Sequence, residues 1–578
     1  MGKNETSKIA YRIFLSCLIV LVFLSFIKSI FVSFDLDEGY ALASGYRMAV
    51  GDHLFNQMWE PHQLSAYPLA ILLRIFLLIS GGSTTGAVIY LRIVGCVIHA
   101  LIGFLLYNTL TAYVSKNNSA VLALLHCLFL PKWLQIAEFE LMQYWFLILI
   151  FICFTTCYKK NTLRKSMLIL AGLFTLLSMT TYPTMCILFV PGIIVISKLS
   201  KNKKRDILLY CAGFFGAGIL FLVYVFAFIS PEEFINNLRY IFMDESHTTE
   251  TGFSKFILMM YGLGTSCLIN LISILGSFVV TLIIVCLIGK QEFRRNIKNI
   301  ILYSLILSVS ALIIYDIISI TFYDVNVFVC THFYLGAIIL GIYAFIAYPI
   351  KELSIPFISL FLSGILSIIG ICFMTNMSIN VILSHAFPCV IAVFVLLANV
   401  CNHANTVFLR KTSKVITTFS AICLLGLFLF SRLIAIRVNG CLPVTIRAGL
   451  EKMTQGPLSG IYVVDDDAYI YNGLMDILDK YDSSNLLYIG GETWLYTYRP
   501  SNVCSASTQG TSSYNDAFIE YYNIHPEKLP NIIVYDSQLG YNPAYNTTTI
   551  SDSMKKWLEE TYSYTIKIDE NFAVVYKM

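Results

Sequence analysis

Long apolar runs separated by short polar loops constrain this chain more than any other feature. From Ile13 to Phe34, and repeatedly until about Ile434, they approach the ~20 residues that carry a helix across a bilayer. Only 13% of the 578 residues are charged, roughly half the fraction in an ordinary soluble domain, and the mean hydropathy is +0.72. The chain therefore reads as a polytopic integral membrane protein, mainly α. Its first segment opens with Lys3, Lys8 and Arg12. The apolar run behind them exceeds the core of a cleaved signal and lacks a small-x-small site, so it reads as a retained signal anchor.

Charge sets the orientation. Basic clusters at Lys159, Lys160, Arg164 and Lys165, at Lys198 and Lys201 to Arg205, at Lys290, Arg294, Arg295 and Lys298, and at Arg410, Lys411 and Lys414 face the cytoplasm by the positive-inside rule. The net charge of +4 thus marks orientation, and nucleic acid is excluded as a partner. The intervening loops carry Asp35, Asp37, Glu38, Asp52 and Glu60, and later Glu232, Glu233, Asp244, Glu245 and Glu250; they face outward. A stretch between two cytoplasmic clusters must cross an even number of times. Residues 168 to 197 are accordingly a hairpin bent near TTYPT, with arms of about fifteen residues, too short for a full span. Irregular backbone at that depth needs protein or a water-filled cavity over it, so the bend predicts a polar cavity on the outer side.

YPLAILLRIFLLIS, residues 67 to 80, carries Arg74 and reads as a helix at the outer interface, followed by a span from about Gly86 to Leu110. The count reaches about thirteen spans within residues 1–436. From 437 to 578 the composition becomes charged and Tyr-rich. GIYVV, NLLYIG and NIIVYD read as strands and YIYNGLMDILDKY as an amphipathic helix, giving a small extracytoplasmic α/β domain. Cys441 and Cys504 lie away from apolar segments, and pair in an oxidising compartment or stay free thiols.

The chemistry-bearing residues before position 65 share one external loop, 34–65. FDLDEGYALASGYR predicts a short amphipathic helix with Glu38 in its first turn, where the helix dipole favours an anion, and WEPHQLSAYP follows. The plain alternative is an interfacial cap whose charges mark where lipid ends. A cap needs no WEPHQ, and a membrane surface does not favour so many anions without cations.

An aromatic-ended first span, DEGY, a helix with Gly and Arg, an aromatic-Glu-Pro-His element and a Tyr/Pro-bearing apolar helix together resemble the first external loop of the GT-C glycosyltransferases. The nearest group is the bacterial polyprenyl-phosphate-sugar enzymes, with the protein O-mannosyltransferases and the transferase that adds aminoarabinose to lipid A. YLRIVGCVIHALIGFLLY resembles that family's second span, LLSMTTYPTMCILFVPG its bent hairpin, and THFYLGAIILG, more weakly, a later span. The likeness covers about the first 340 residues. Many relatives have HPPL or KPP where this chain has PHQLS, which puts the acceptor contacts of that element in doubt.

The resemblance implies a membrane glycosyltransferase that moves a sugar, with inversion, from a polyprenyl-phosphate donor to a glycan, lipid or protein outside the membrane. Such a reaction needs a base for the acceptor hydroxyl and positive charge for the phosphate, and no acid for the leaving group. Asp37 matches the family's catalytic Asp, as base or as a carboxylate linked to a divalent metal, Mg or Mn. Glu60 matches the second acidic position. Glu38 stands beside Asp37 as a substrate contact, and Arg47, His62, Arg74 and Arg92 are candidates for the phosphate, each with the alternative of an interfacial side chain that snorkels.

Asp316, within the apolar ALIIYDIISITF, costs about 2.5 to 3.5 kcal/mol to insert, so it is expected to face the cavity and contact substrate. His332 binds donor or packs at the interface. Glu138 and Glu140 read mainly as a solvated loop edge. DDD at 465–467 reads as a strand-end turn, not a nucleotide-sugar metal motif, and Gly490-Gly491 is a lone turn signal. A lipid-linked glycan transporter is the chief rival, and a membrane polymerase or an inactive scaffold are others. A transporter has no need of Asp37 and Glu60 in one loop, and duplicated halves are not evident.

Overall fold

The computed structural model describes residues 3–576 except 133, 160–163, 242–251, 289–296, 323–331, 351–353, 376–378, 404–406, 439–441, 446–448, 482, 509–514, 536–540, 543–546, 549–551, 563–566 and 569–572. Cys441, the acids Asp244, Glu245 and Glu250, and the basic Lys160, Lys290, Arg294 and Arg295 lie outside the described residues.

The chain begins with α1 (Lys3–Phe31), α2 (Leu36–Val50), α3 (Ala66–Ile79), α4 (Ala87–Leu110), α5 (Lys116–Leu128) and α6 (Phe139–Lys159). The bent hairpin follows as α7 (Arg164–Thr181), a 3-10 turn at Pro183–Leu188 and α8 (Phe189–Leu199), so it breaks at the TTYPT sequence. Proline there cannot donate the hydrogen bond that would continue α7. Next come α9 (Lys203–Phe226), α10 (Pro231–Ile241), α11 (Gly252–Ile288), α12 (Ile297–Phe322), α13 (His332–Ala347), α14 (Ser354–Met374), α15 (Phe387–His403) and α16 (Val407–Ile434).

This is a multi-pass membrane protein. Among the described residues nine helices are long and apolar enough to cross a bilayer. Three shorter apolar helices, Gln63–Ile79, Pro183–Leu199 and His332–Ala347, join them, against about thirteen spans expected. Helix α6 is mostly buried, whereas α9 exposes Leu208, Leu220 and Val223 along its length, as a lipid-facing helix does. Arg164 and Arg205 both pair with the buried Asp206, which joins the basic clusters on either side of the hairpin at one end of the bundle.

Strands appear from Ala435 onward. The largest sheet runs in the order Lys567–Ile568, Ala573–Tyr576, Ile532–Tyr535, Asn485–Ile489, Asn502–Val503. Its Asn485–Ile489 strand is parallel to both neighbours and buried from Leu486 to Ile489, hence the unbroken apolar run in its sequence. Asp465 to Asp467 do not make a turn: they open the helix Asp465–Lys480 directly after strand Tyr462–Val464, where the first-turn dipole favours them. Cys504 is buried and free.

Candidate active site

Helix α2 begins where Asp35 accepts a hydrogen bond from the Asp37 amide at 3.0 Å. Asp37 and Glu38 then occupy the first turn, about 100° apart around the axis, and so meet different walls. Glu38 is buried against Arg92 of α4, with Arg92 Nε donating to Oε1 at 2.9 Å and Nη2 to Oε2 at 2.5 Å. Arg92 also donates to the carbonyls of Ile30 and Ser33, tying the end of α1 to the acidic turn.

Asp37 faces a second cluster. Lys132, in the segment between α5 and α6, bridges Asp37 at 3.1 Å and Glu140 at 2.7 Å. Tyr182, at the hairpin bend, donates to Glu140 Oε1 at 3.0 Å, and His385 Nε2 lies 3.6 Å from Glu140 Oε2. His62 stacks on Phe139 with ring centroids 4.1 Å apart and meets Tyr182 edge-on. Within this group the Asp37 side chain keeps about a third of its surface, 32%, while those of Lys132 and Glu140 keep 3%. The bend thus sits over a polar centre, and Asp37 is the carboxylate there that solvent reaches.

Glu138 and Glu140 are buried, contrary to the solvated edge expected of them. Glu138 caps α6, its two oxygens accepting from the Glu140 and Leu141 amides at 2.7 and 2.6 Å. Burial and the Glu140 charge push the Glu138 carboxyl up, against the pull of Lys132 and of the two amides. Burial alone would lower the Lys132 ammonium, but the charges of Asp37 and Glu140 outweigh it and hold it protonated.

The segment is drawn in because Gly95 of α4 has no side chain: a Cβ there would stand 1.8 Å from the Gln135 carbonyl oxygen. Gly95→Ala is therefore expected to displace the Lys132 segment, costing about 1 to 3 kcal/mol as an overpacked contact and impairing any activity that depends on Asp37. Thermal melting alongside an activity assay checks this. An unchanged melting temperature with full activity would remove the close approach.

Glu60 and Arg47 lie in a different arrangement. The Arg47 guanidinium makes five hydrogen bonds: Nε to Asp52 at 2.9 Å, Nη1 to Glu60 at 2.6 Å and to the Ala506 carbonyl at 3.4 Å, and Nη2 to the Gln57 and Ser505 carbonyls at 2.7 and 2.8 Å. Glu60 Oε2 accepts from Ser44 at 2.9 Å and Thr508 at 2.8 Å, and Lys528 reaches Asp52 at 2.5 Å. Arg47 and Glu60 show no exposed side-chain surface. The five donors of a guanidinium are used here, so the expected phosphate contact at Arg47 is corrected: it clamps the first loop to the backbone at Ser505 and Ala506. Arg74 is exposed on α3 and donates to the Ala49 carbonyl.

Asp316 is buried on α12, with Tyr334 in its electrostatic surroundings, and His332 lies at the start of α13 beside Ser266 and Asn270. The contacts described for them do not join them to Asp37. Lys132, Tyr182 and His385 escaped the sequence reading. Lys132 had a signal: it is the only Lys or Arg between residues 117 and 158 and falls on the side predicted to be outer.

A divalent ion finds no ready donor set. Among the described residues no three His, Cys, Asp or Glu side chains converge, and between Asp37 and Glu140 stands the Lys132 ammonium, whose charge opposes a metal.

No family model and no curated sequence matches the chain. Solved structures do. ArnT from Cupriavidus metallidurans, bound to undecaprenyl phosphate, matches with a TM-score of 0.50 at 12% identity, over 97% of each chain. The chain has the GT-C fold. The oligosaccharyltransferase AglB from Archaeoglobus fulgidus, in complex with an inhibitory peptide and a dolichol-phosphate, matches at 0.45 and 12% identity, over 98% of this chain and 74% of that one. On this GT-C fold, the acidic turn after the first span and the bend of the hairpin meet at Asp37, Lys132 and Tyr182.

Proposed function

We propose that this protein is a membrane glycosyltransferase that moves a sugar from a polyprenyl-phosphate-linked donor to an acceptor hydroxyl, with Asp37 as the general base. The supporting observation is a single part-exposed carboxylate held by a buried lysine, on the fold of an enzyme solved with undecaprenyl phosphate. In this reading the acceptor oxygen attacks the anomeric carbon as its proton passes to Asp37. The bond from that carbon to the phosphate oxygen breaks, and the electron pair leaves with the polyprenyl monophosphate. The donor is anchored by its chain, so its head group arrives at interface depth. Lys132 fixes the Asp37 rotamer and supplies positive charge beside it. The acceptor is a glycan, a lipid or a protein outside the membrane, and residues 437–578 are an extracytoplasmic domain.

Purified protein offered radiolabelled sugar as polyprenyl phosphate and as nucleotide sugar, in matched micelles with candidate acceptors, is expected to use only the lipid form. Transfer from the nucleotide sugar alone would overturn the proposal, and lipid-sugar translocation in proteoliposomes without transfer would favour a transporter. The orientation has its own test. Single cysteines at Ser83 and Asp552, both exposed, should react with an impermeant thiol reagent in intact cells, and one at Lys204 should not. The reverse pattern would place the site in the cytoplasm.

A further inference from the structure

Beside the acidic turn lies a cavity of about 40 Å³, enough for about three waters. Its walls include Lys28 at the end of α1, Arg92 of α4, Arg432 in the last turn of α16, Gln135, Asp35 and Glu38. The charges do not balance. Glu38 pairs with Arg92, and Asp35 accepts the Asp37 amide while keeping its charge, so Lys28 and Arg432 face one remaining anion. Lys28 donates to the carbonyls of Arg432 and Ala435, and Arg432 Nη2 to Gln135 Oε1 at 3.1 Å, neither of which supplies a negative charge. Among the described residues no carboxylate lies within 4.0 Å of the Lys28 or Arg432 charge.

The donors are not exhausted either. Arg432 Nε and Gln135 Nε2 are buried without a hydrogen-bond acceptor, and Arg432 is 5% exposed. A buried guanidinium and a half-buried ammonium with no carboxylate within 4.0 Å, and two buried N–H groups without an acceptor beside them, are costly unless an oxygen-rich anion joins them. A carboxylate has two oxygens. A phosphate group offers more acceptors and more charge, and a guanidinium fork matches it geometrically.

We propose that this cavity is a phosphate-binding site, in which Arg432, Lys28 and Gln135 hold the anion while the Glu38–Arg92 pair forms the wall shared with the acidic turn. The phosphate comes from a membrane lipid entering between the ends of α1 and α16, or from solution. Asp37 and Lys132 take no part, so the site stands or falls independently of the transfer reaction.

The test is binding to full-length protein in detergent, by calorimetry, with inorganic phosphate, polyprenyl monophosphate and phosphatidylglycerol as separate probes. At least one should bind, and Arg432→Gln and Lys28→Met should each weaken it tenfold or more. Lys204→Met, exposed beyond the basic end of the hairpin, should leave it unchanged. The probe that binds identifies the source. If Arg432→Gln does not fold, Lys28→Met carries the comparison. Absence of binding by all three probes to the parent protein, or undiminished binding by the folded variants, would overturn the site. Loss of sugar transfer with phosphate binding intact would count against the glycosyltransferase reading alone.

Discussion

Asp37→Asn is expected to abolish sugar transfer while leaving the protein folded. Asparagine keeps the size of the side chain and an oxygen for Lys132, which stands 3.1 Å away, but cannot take a proton at neutral pH. A positioned base is typically worth about 10² to 10⁴ in rate, so a purified, donor-saturated assay should fall by at least that lower factor. The melting temperature should move little, because the side chain is part-exposed and Lys132 keeps Glu140 at 2.7 Å. A loss of less than about tenfold, set against that range, would pass the role of base to another group.

Arg47→Ala is expected to have the largest effect on stability. It strips the buried carboxylates of Asp52 and Glu60 of their shared guanidinium and leaves the Gln57 and Ser505 carbonyls without this donor. Removing one partner of a buried ion pair costs about 3 to 5 kcal/mol. Thermal melting and limited proteolysis should show the segment at Ser505 and Ala506 released from the first loop. Arg47→Lys should rescue only part of this, since an ammonium has three donors where five hydrogen bonds are made. Arg74→Ala, at an exposed side chain, should stay within about 0.5 kcal/mol. An Arg47→Ala protein as stable as its parent but weakened toward polyprenyl phosphate would restore Arg47 as a phosphate contact. On the clamp reading, Glu60→Gln should likewise lower stability as well as activity.

What the sequence determined by itself is what repeats locally. Apolar length dictates spans, lysine and arginine between spans dictate parity, and Pro183 within TTYPT marks the break at which α7 ends. The helix after the acidic turn was also legible, with Glu38 in its first turn; that Asp35 caps it came from the structure. Which of these carboxylates meets solvent, which meets a cation and which serves packing was decided only by tertiary structure. Asp37 and Lys132 are 95 positions apart, and Arg47 and Ser505 are 458 apart. Nothing in a local pattern distinguishes Glu60 in a clamp from Glu60 in a site. The physical reason is that desolvation and Coulomb interaction depend on separations of a few ångströms in space, and those separations are set by packing, such as Gly95 admitting the backbone beside Gln135.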